Sequence, residues 1–193
     1  MSSINNLTLN NVTISDNTTI WGDGGGLYIY YPNTATLTNL TITGNSAEYA
    51  GGGGIYVIYG SIIVENVLIS ENTAGNGGGI YDQAWTTSIN NVVVTNNSAI
   101  NSGGGIFCNN TSDMQNLVIE GNIADNGGGI YCMSSPNIEF STIIQNTSYF
   151  DGSGIYCSNS SPDIINSIVS DNIGNYGVFV DSGSPSIAFS DFY

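Results

Sequence analysis

The side chains here that could move a proton or hold a ligand are almost all carboxylates. Fifteen Asp and Glu stand against no Lys, no Arg and no His, for a formal net charge of -15. Without imidazole, amine or guanidinium there is no proton shuttle tuned near neutral pH, no amine nucleophile and no cationic clamp for an oxyanion. Two carboxylates at a suitable separation can still hydrolyse a glycosidic bond. Asp23, Glu48, Asp125 and Asp151, however, fall in variable stretches of different repeats. A carboxylate-only polysaccharide-degrading enzyme is therefore a lesser alternative, and no catalytic residues and no enzymatic activity are expected. A polyanion without one basic residue also excludes nucleic acid and anionic membrane surfaces as partners. Calcium needs roughly 6–8 converging oxygen ligands, and no Asp-x-Asp-x-Asp run supplies them. No resident metal or cofactor is expected, and Ca2+ binding should be weak at most.

What must position these groups is a repeat. Asn17, Asn45, Asn72, Asn97, Asn122, Asn146 and Asn172 recur at intervals of 28, 27, 25, 25, 24 and 26 residues. Three residues before each stands Ile or Val, as in Ile69 and Val94; eight before stands another apolar residue, as in Val64 and Ile89. After each comes a loop of variable length, a glycine cluster such as Gly77-Gly78-Gly79, and an aliphatic residue such as Ile80. No segment has helical periodicity, and Gly, Asn, Thr and Ser are everywhere. Three short strands per coil, stacked in register, make a right-handed parallel β-helix. About seven coils at ~4.8 Å give a rod of roughly 34 Å. The 40% apolar content suffices for one long thin core, so residues 1–193 form a single domain, expected to be a segment of a longer repeat protein or a stacking unit.

Strand alternation assigns the faces. In Gly-Ile-Tyr-Cys the Ile points in, so the next residue points out: Tyr28, Tyr56, Tyr81, Phe107, Tyr131, Tyr156 and Phe179. An outward aromatic ladder should result, stabilising the sheet as cross-strand pairs do and offering polar-tipped rings to a sugar if exposed. The following inward position holds Ile29, Val57, Asp82, Cys108, Cys132, Cys157 and Val180. The three thiols there are expected to be free and buried, behaving as small hydrophobes. Asp82 is the odd member, read first as a cap where the strand ends early and second as a buried carboxylate with a raised pKa. A second series, Asn11, Asn39, Asn66, Asn91, Asn116 and Asn166, with Phe140 and Phe189 as replacements, suits left-handed corners stacked on one another. Outward hydroxyl pairs of an ice-binding grid occur only at Thr13/Ser15 and Thr41/Thr43; later coils carry pairs such as Leu68/Ser70 and Val118/Glu120.

The run Ile69-Ser70-Glu71-Asn72 followed by Gly77-Gly78-Gly79-Ile80-Tyr81 resembles the paired signature of chlamydial polymorphic outer membrane proteins, with a third Gly where that motif has Ala. Similar repeats occur in bacterial surface proteins with pectate-lyase-like β-helices. The resemblance spans nearly the whole chain and implies an adhesin-type passenger displayed outside the cell. It thus implies an extracellular or cell-surface location, with polysaccharide or a host surface protein as partner. The pectate lyases of that superfamily abstract protons with a basic residue, which this chain lacks, while the outer face carrying the aromatic ladder is where pectinases bind polysaccharide. The first residues, Met1-Ser2-Ser3-Ile4-Asn5-Asn6, show neither the basic start nor the apolar stretch of a signal peptide, and no apolar run approaches a membrane span. The chain enters and leaves in repeat register without evident capping repeats, so head-to-tail self-association into filaments is a further expectation.

Overall fold

The computed structural model describes residues 6–188 and 190–192. Phe189, expected to take the second asparagine's place in the last coil, lies outside them. All regular structure is β and all pairing is parallel. The strands form three long sheets whose neighbours are successive coils, which is the topology of a β-helix. No helix among the described residues is long and apolar enough to cross a membrane.

One coil shows how residue types set the path. Ser61–Ser70 is a single strand, bent at Asn66, whose φ of 55° is left-handed. Its alternate residues Ile62, Val64, Val67 and Ile69 are buried. Glu71, at φ 58°, makes a second corner and leads into Thr73–Asn76. Gly77, at φ 60°, makes a third and leads into Ile80–Gln83. The Trp85 N–H then donates to the Gly60 carbonyl of the coil before, and the next coil begins. Three strands per coil is thus the right count of sheets, but the first sheet is folded along its length by the second asparagine series. It contains 14 strands against 6 and 7 in the others, since most coils break in two at that corner.

The glycine clusters serve two needs. Gly77 supplies positive φ without a Cβ penalty. Gly78 has no such need, but a Cβ there would lie 2.5 Å from the Gly104 carbonyl of the next coil, so only glycine lets the coils approach this closely. Inside, the aliphatic residues after the clusters, from Ile55 to Ile155, are at most 2% exposed. Burial of each such side chain contributes about 1.5–3 kcal/mol.

The first asparagine series forms a continuous amide ladder. The Asn72 backbone N–H and Nδ2 both donate to Asn97 Oδ1, at 3.0 and 2.9 Å, and the pattern runs unbroken from Asn17 to Asn172. From Asn45 onward each Nδ2 also reaches a strand carbonyl of the coil below, as Asn97 reaches Ile69. Every buried donor and acceptor of these amides is thereby used. The second series takes left-handed φ throughout, including Phe140 at 52°, but stays exposed. Among the described residues only Asn91 bonds its equivalent, Asn66, while Asn39 and Asn116 donate to Asn10 and Asn90. A third ladder goes beyond the expected series: where Leu40, Val67, Val92 and Leu117 line the core, the last coils place Ser141, Ser167 and Ser190, each hydroxyl accepting the N–H of the coil before.

Candidate functional site

The aromatic ladder forms in register. Successive ring centroids from Tyr28 to Phe179 lie 5.4, 4.8, 4.6, 5.2, 4.8 and 5.0 Å apart, and all but the last pair are within 16° of parallel. Its rings point outward, yet Tyr56 and Phe107 are 9% and 7% exposed. The chain leaving the second sheet folds over them: a Cβ on Gly51 would sit 2.9 Å from ring carbons of both Tyr56 and Tyr81. Burial, with Asp23 adding its charge, pushes the Tyr56 hydroxyl up to about 12. Ring faces that a sugar would stack on are already occupied by the next ring, leaving edges and hydroxyls. The ladder's geometry is that of a stabilising stack, and its freely exposed member is Tyr28, at 51%.

Exposed aromatics instead converge at the corner where the third sheet hands over to the first. Tyr30, Tyr31, Tyr59 and Trp85 are 41, 42, 39 and 58% exposed. Their rings meet edge-on or tilted: Tyr31 and Trp85 at 5.1 Å and 78°, Tyr30 and Tyr59 at 6.0 Å and 78°, Tyr31 and Tyr59 at 5.6 Å and 59°. No pair among these four is parallel; Tyr30 lies nearly parallel to the ladder's Tyr28, at 9° and 6.4 Å, and the faces of the other three are not consumed by parallel stacking as they are in the ladder. Tyr31 and Tyr59 hold φ of 54° and 60°, a conformation that costs a residue with a Cβ roughly 1–2 kcal/mol. At the same corner of a later coil the residue is Asn159, a type that adopts it readily. Beside the aromatics runs a shallow hydroxyl-lined groove whose walls include Thr34, Ser61, Thr86, Ser88 and Asp113.

The carboxylates are arranged less sparsely than the loops alone suggest. Register places Asp113, Asn137 and Asp163 in one outward column, with Glu139 on the same face and its Oε1 accepting from Asn137 Nδ2 at 3.0 Å. Asp113 and Asp163 are two coils apart, or roughly 10 Å. The loop acids are engaged separately: Asp23 accepts the Gly51 N–H and Asp151 the Asn175 amide. Among the described residues no three His, Cys, Asp or Glu side chains converge as a metal site.

Asp82 is fully buried, and the reading of it as a cap at an early strand end needs correction. The strand continues to Gln83, and Asp82 Oδ1 accepts from the Ala84 N–H, Thr87 Oγ1 and Asn110 Nδ2 at 2.9–3.1 Å, while Oδ2 accepts from Ser112 Oγ at 2.8 Å. It caps Ala84 and is a buried carboxylate at once. Burial raises its pKa, and the four hydrogen bonds offset part of that rise. Above it Cys108, Cys132 and Cys157 are stacked in register, buried and free. Burial pushes Cys108 up to about 12, helped by the Asp82 charge, and Cys157 to about 11. Such thiols are not nucleophiles near neutral pH. The outward hydroxyl pairs fall in the expected columns, Thr13, Thr41, Leu68, Val93, Val118, Thr142 and Ile168, so apolar residues interrupt any ice-like grid.

A family model described as the right-handed β-helix region matches residues 1–151. The chain belongs to that family. The β-helix continues past the matched region, since Ile155–Cys157 and Val178–Val180 add to the third sheet in the same register. No curated protein and no solved structure matches the chain.

Proposed function

We propose that this β-helix is a non-catalytic structural and adhesive segment of a bacterial cell-surface or secreted protein. The observation that carries it is the set of side-chain ladders running through every coil: amides inside, rings outside. They make a stiff rod with a large lateral surface, suited to holding a binding face away from its point of attachment. The adhesin part of the reading comes from the resemblance of the Asn and Gly-Gly repeats to displayed passengers. A chain without basic residues supports it by lacking the usual acid-base partners of β-helical lyases. The test is to display the chain on a non-adherent bacterium and to incubate the purified protein with acidic and neutral polysaccharides. Gain of adherence with no release of reducing ends is expected. Hydrolysis or elimination of any polymer, with loss of product on Asp113→Asn, would replace this reading with an enzyme using the Asp113, Glu139 and Asp163 face.

Association of copies end to end is a second reading, favoured by the polarity of the amide ladder. Each Asn donates toward the next coil's Oδ1. Among the described residues no donor meets Asn17 Oδ1 and no acceptor meets the Asn172 N–H, so one end offers what the other accepts.

A further inference from the structure

We propose that the corner formed by Tyr30, Tyr31, Tyr59 and Trp85 is a binding site for a neutral hexopyranose chain, which lies across three coils and along the adjoining hydroxyl groove. Three independent features point there. First, the residues are strained where their repeat equivalent is not. Tyr31 and Tyr59 hold left-handed φ at a corner that a later coil fills with Asn159, and backbone strain of this kind clusters at functional sites. Packing does not require them, since both remain about two-fifths exposed. Second, the rings are not stacked on one another. The Tyr31 and Trp85 rings meet at 78° across an intervening coil; such an edge-on contact covers one face of one ring, so flat apolar surface remains for the C–H face of a pyranose, the contact the parallel ladder cannot offer.

Third, the polar surroundings are hydroxyls and a carboxylate without a cation. Thr34, Ser61 and Thr86 follow the aromatic corner in successive coils, in register, and Thr86 Oγ1 donates to Ser61 Oγ at 2.7 Å. Asp113 closes the groove on one side. Carboxylates accept two hydrogen bonds from vicinal sugar hydroxyls, while the net charge of -15 repels uronates and sulfated glycans. Acidic glycans are thereby disfavoured, and the exposed rings suit the apolar C–H face of a neutral chain. Coil spacing of ~4.8 Å is close to the length of one β-linked hexose, so consecutive sugars can meet equivalent positions of consecutive coils.

The inference rests on the adhesive reading but can fail without it. The chain has two Trp, and Trp21 is remote in type of contact, leaning on Tyr49; with Trp21→Phe as background, Trp85 alone reports. Cellohexaose, laminarihexaose and chitohexaose are titrated by fluorescence, with polygalacturonate as the charged control. Saturable quenching by at least one neutral hexasaccharide, and none by polygalacturonate, is expected. Tyr59→Asn should weaken that binding tenfold or more while melting no lower than the parent, because Asn suits the left-handed corner. Tyr131→Phe in the ladder should leave binding unchanged. Absence of quenching by all three neutral chains, binding untouched in Tyr59→Asn, or preference for the acidic polymer would each overturn the site. Adherence of displayed cells that persists in Tyr59→Asn would overturn it while leaving the adhesive role standing.

Discussion

Asp82 is the residue whose chemistry departs most from its repeat. The same inward position is Val57 one coil below and Cys108 one coil above, and the carboxylate survives there because Thr87, Asn110, Ser112 and the Ala84 N–H surround it. Thr87 itself replaces the Ile62 of the previous coil, so one polar substitution in the core required others. Burial holds the Asp82 pKa above its ordinary 3.8. The folded chain then keeps a proton that the unfolded chain has lost, and stability falls as pH rises from the ordinary carboxylate range through the folded value. Asp82→Asn, neutral at every pH, should lack that component. The difference in unfolding free energy between parent and variant, measured by urea titration from pH 4 to 8, should shift in the variant's favour as pH rises; a constant difference would show that Asp82 is ionised throughout. Asp82→Val restores the repeat but removes an acceptor from four donors, the Thr87 and Ser112 hydroxyls, the Asn110 amide and the Ala84 N–H, of which the Asn110 amide keeps the Ala84 carbonyl. At about 1–3 kcal/mol per orphaned buried group, a loss of roughly 3–5 kcal/mol is expected.

At the scale of elements, stability is carried by ladders more than by single strands. Asn97 donates to Ile69, Thr95 and Asn122 and accepts twice from Asn72, all buried but the bond to Thr95, which is part-buried. Asn97→Ala should cost about 3–5 kcal/mol by leaving those groups unpaired, which at roughly 2–4 °C per kcal/mol for a chain of this size lowers Tm by about 10 °C. Asn17→Ala, at an exposed end with one ladder neighbour, should lower it by no more than a degree or two. Equal effects at both positions would mean that the ladder is not the source of the stability. These elements were legible in the sequence because a solenoid repeats its packing: each ladder is a residue type at a constant offset. The corner aromatics were not. Tyr31 and Tyr59 stand three residues after a ladder ring and Trp85 four after, so they form no series, and only the backbone, with Trp85 returning to Gly60, brings them together. Exposure of the aromatic ladder also escaped prediction, because it depends on loops such as the one ending at Gly51, whose lengths vary from coil to coil. Asp113, Glu139 and Asp163 share a face for a reason visible only in register, since their spacing is split between two outward columns.

For the whole molecule the open issue is how the end coils are covered. Val180 and Ile187, at inward positions of the last coil, are 38 and 48% exposed, and in the first coil Leu7, Leu9 and Ile14 are only partly buried. Apolar surface and a strand edge coincide at each end, with the Asn17 acceptor at one and the Asn172 donor at the other. Strands there run parallel to those of any copy added in the same orientation, so stacking continues the sheets without changing their register. The contact is heterologous and does not close. Opposing it is the repulsion of two chains that each carry -15, which acts over a Debye length of about 10 Å at 0.1 M salt and about 3 Å at 1 M. Salt should therefore promote association, the reverse of its effect on a complex held by ion pairs, and Asn172→Asp, which adds charge and removes an amide donor at the joint, should suppress it. Light scattering and negative-stain microscopy across a salt series are expected to show rods longer than ~34 Å appearing as ionic strength rises. Rods of a single length at every salt and protein concentration would exclude stacking between copies.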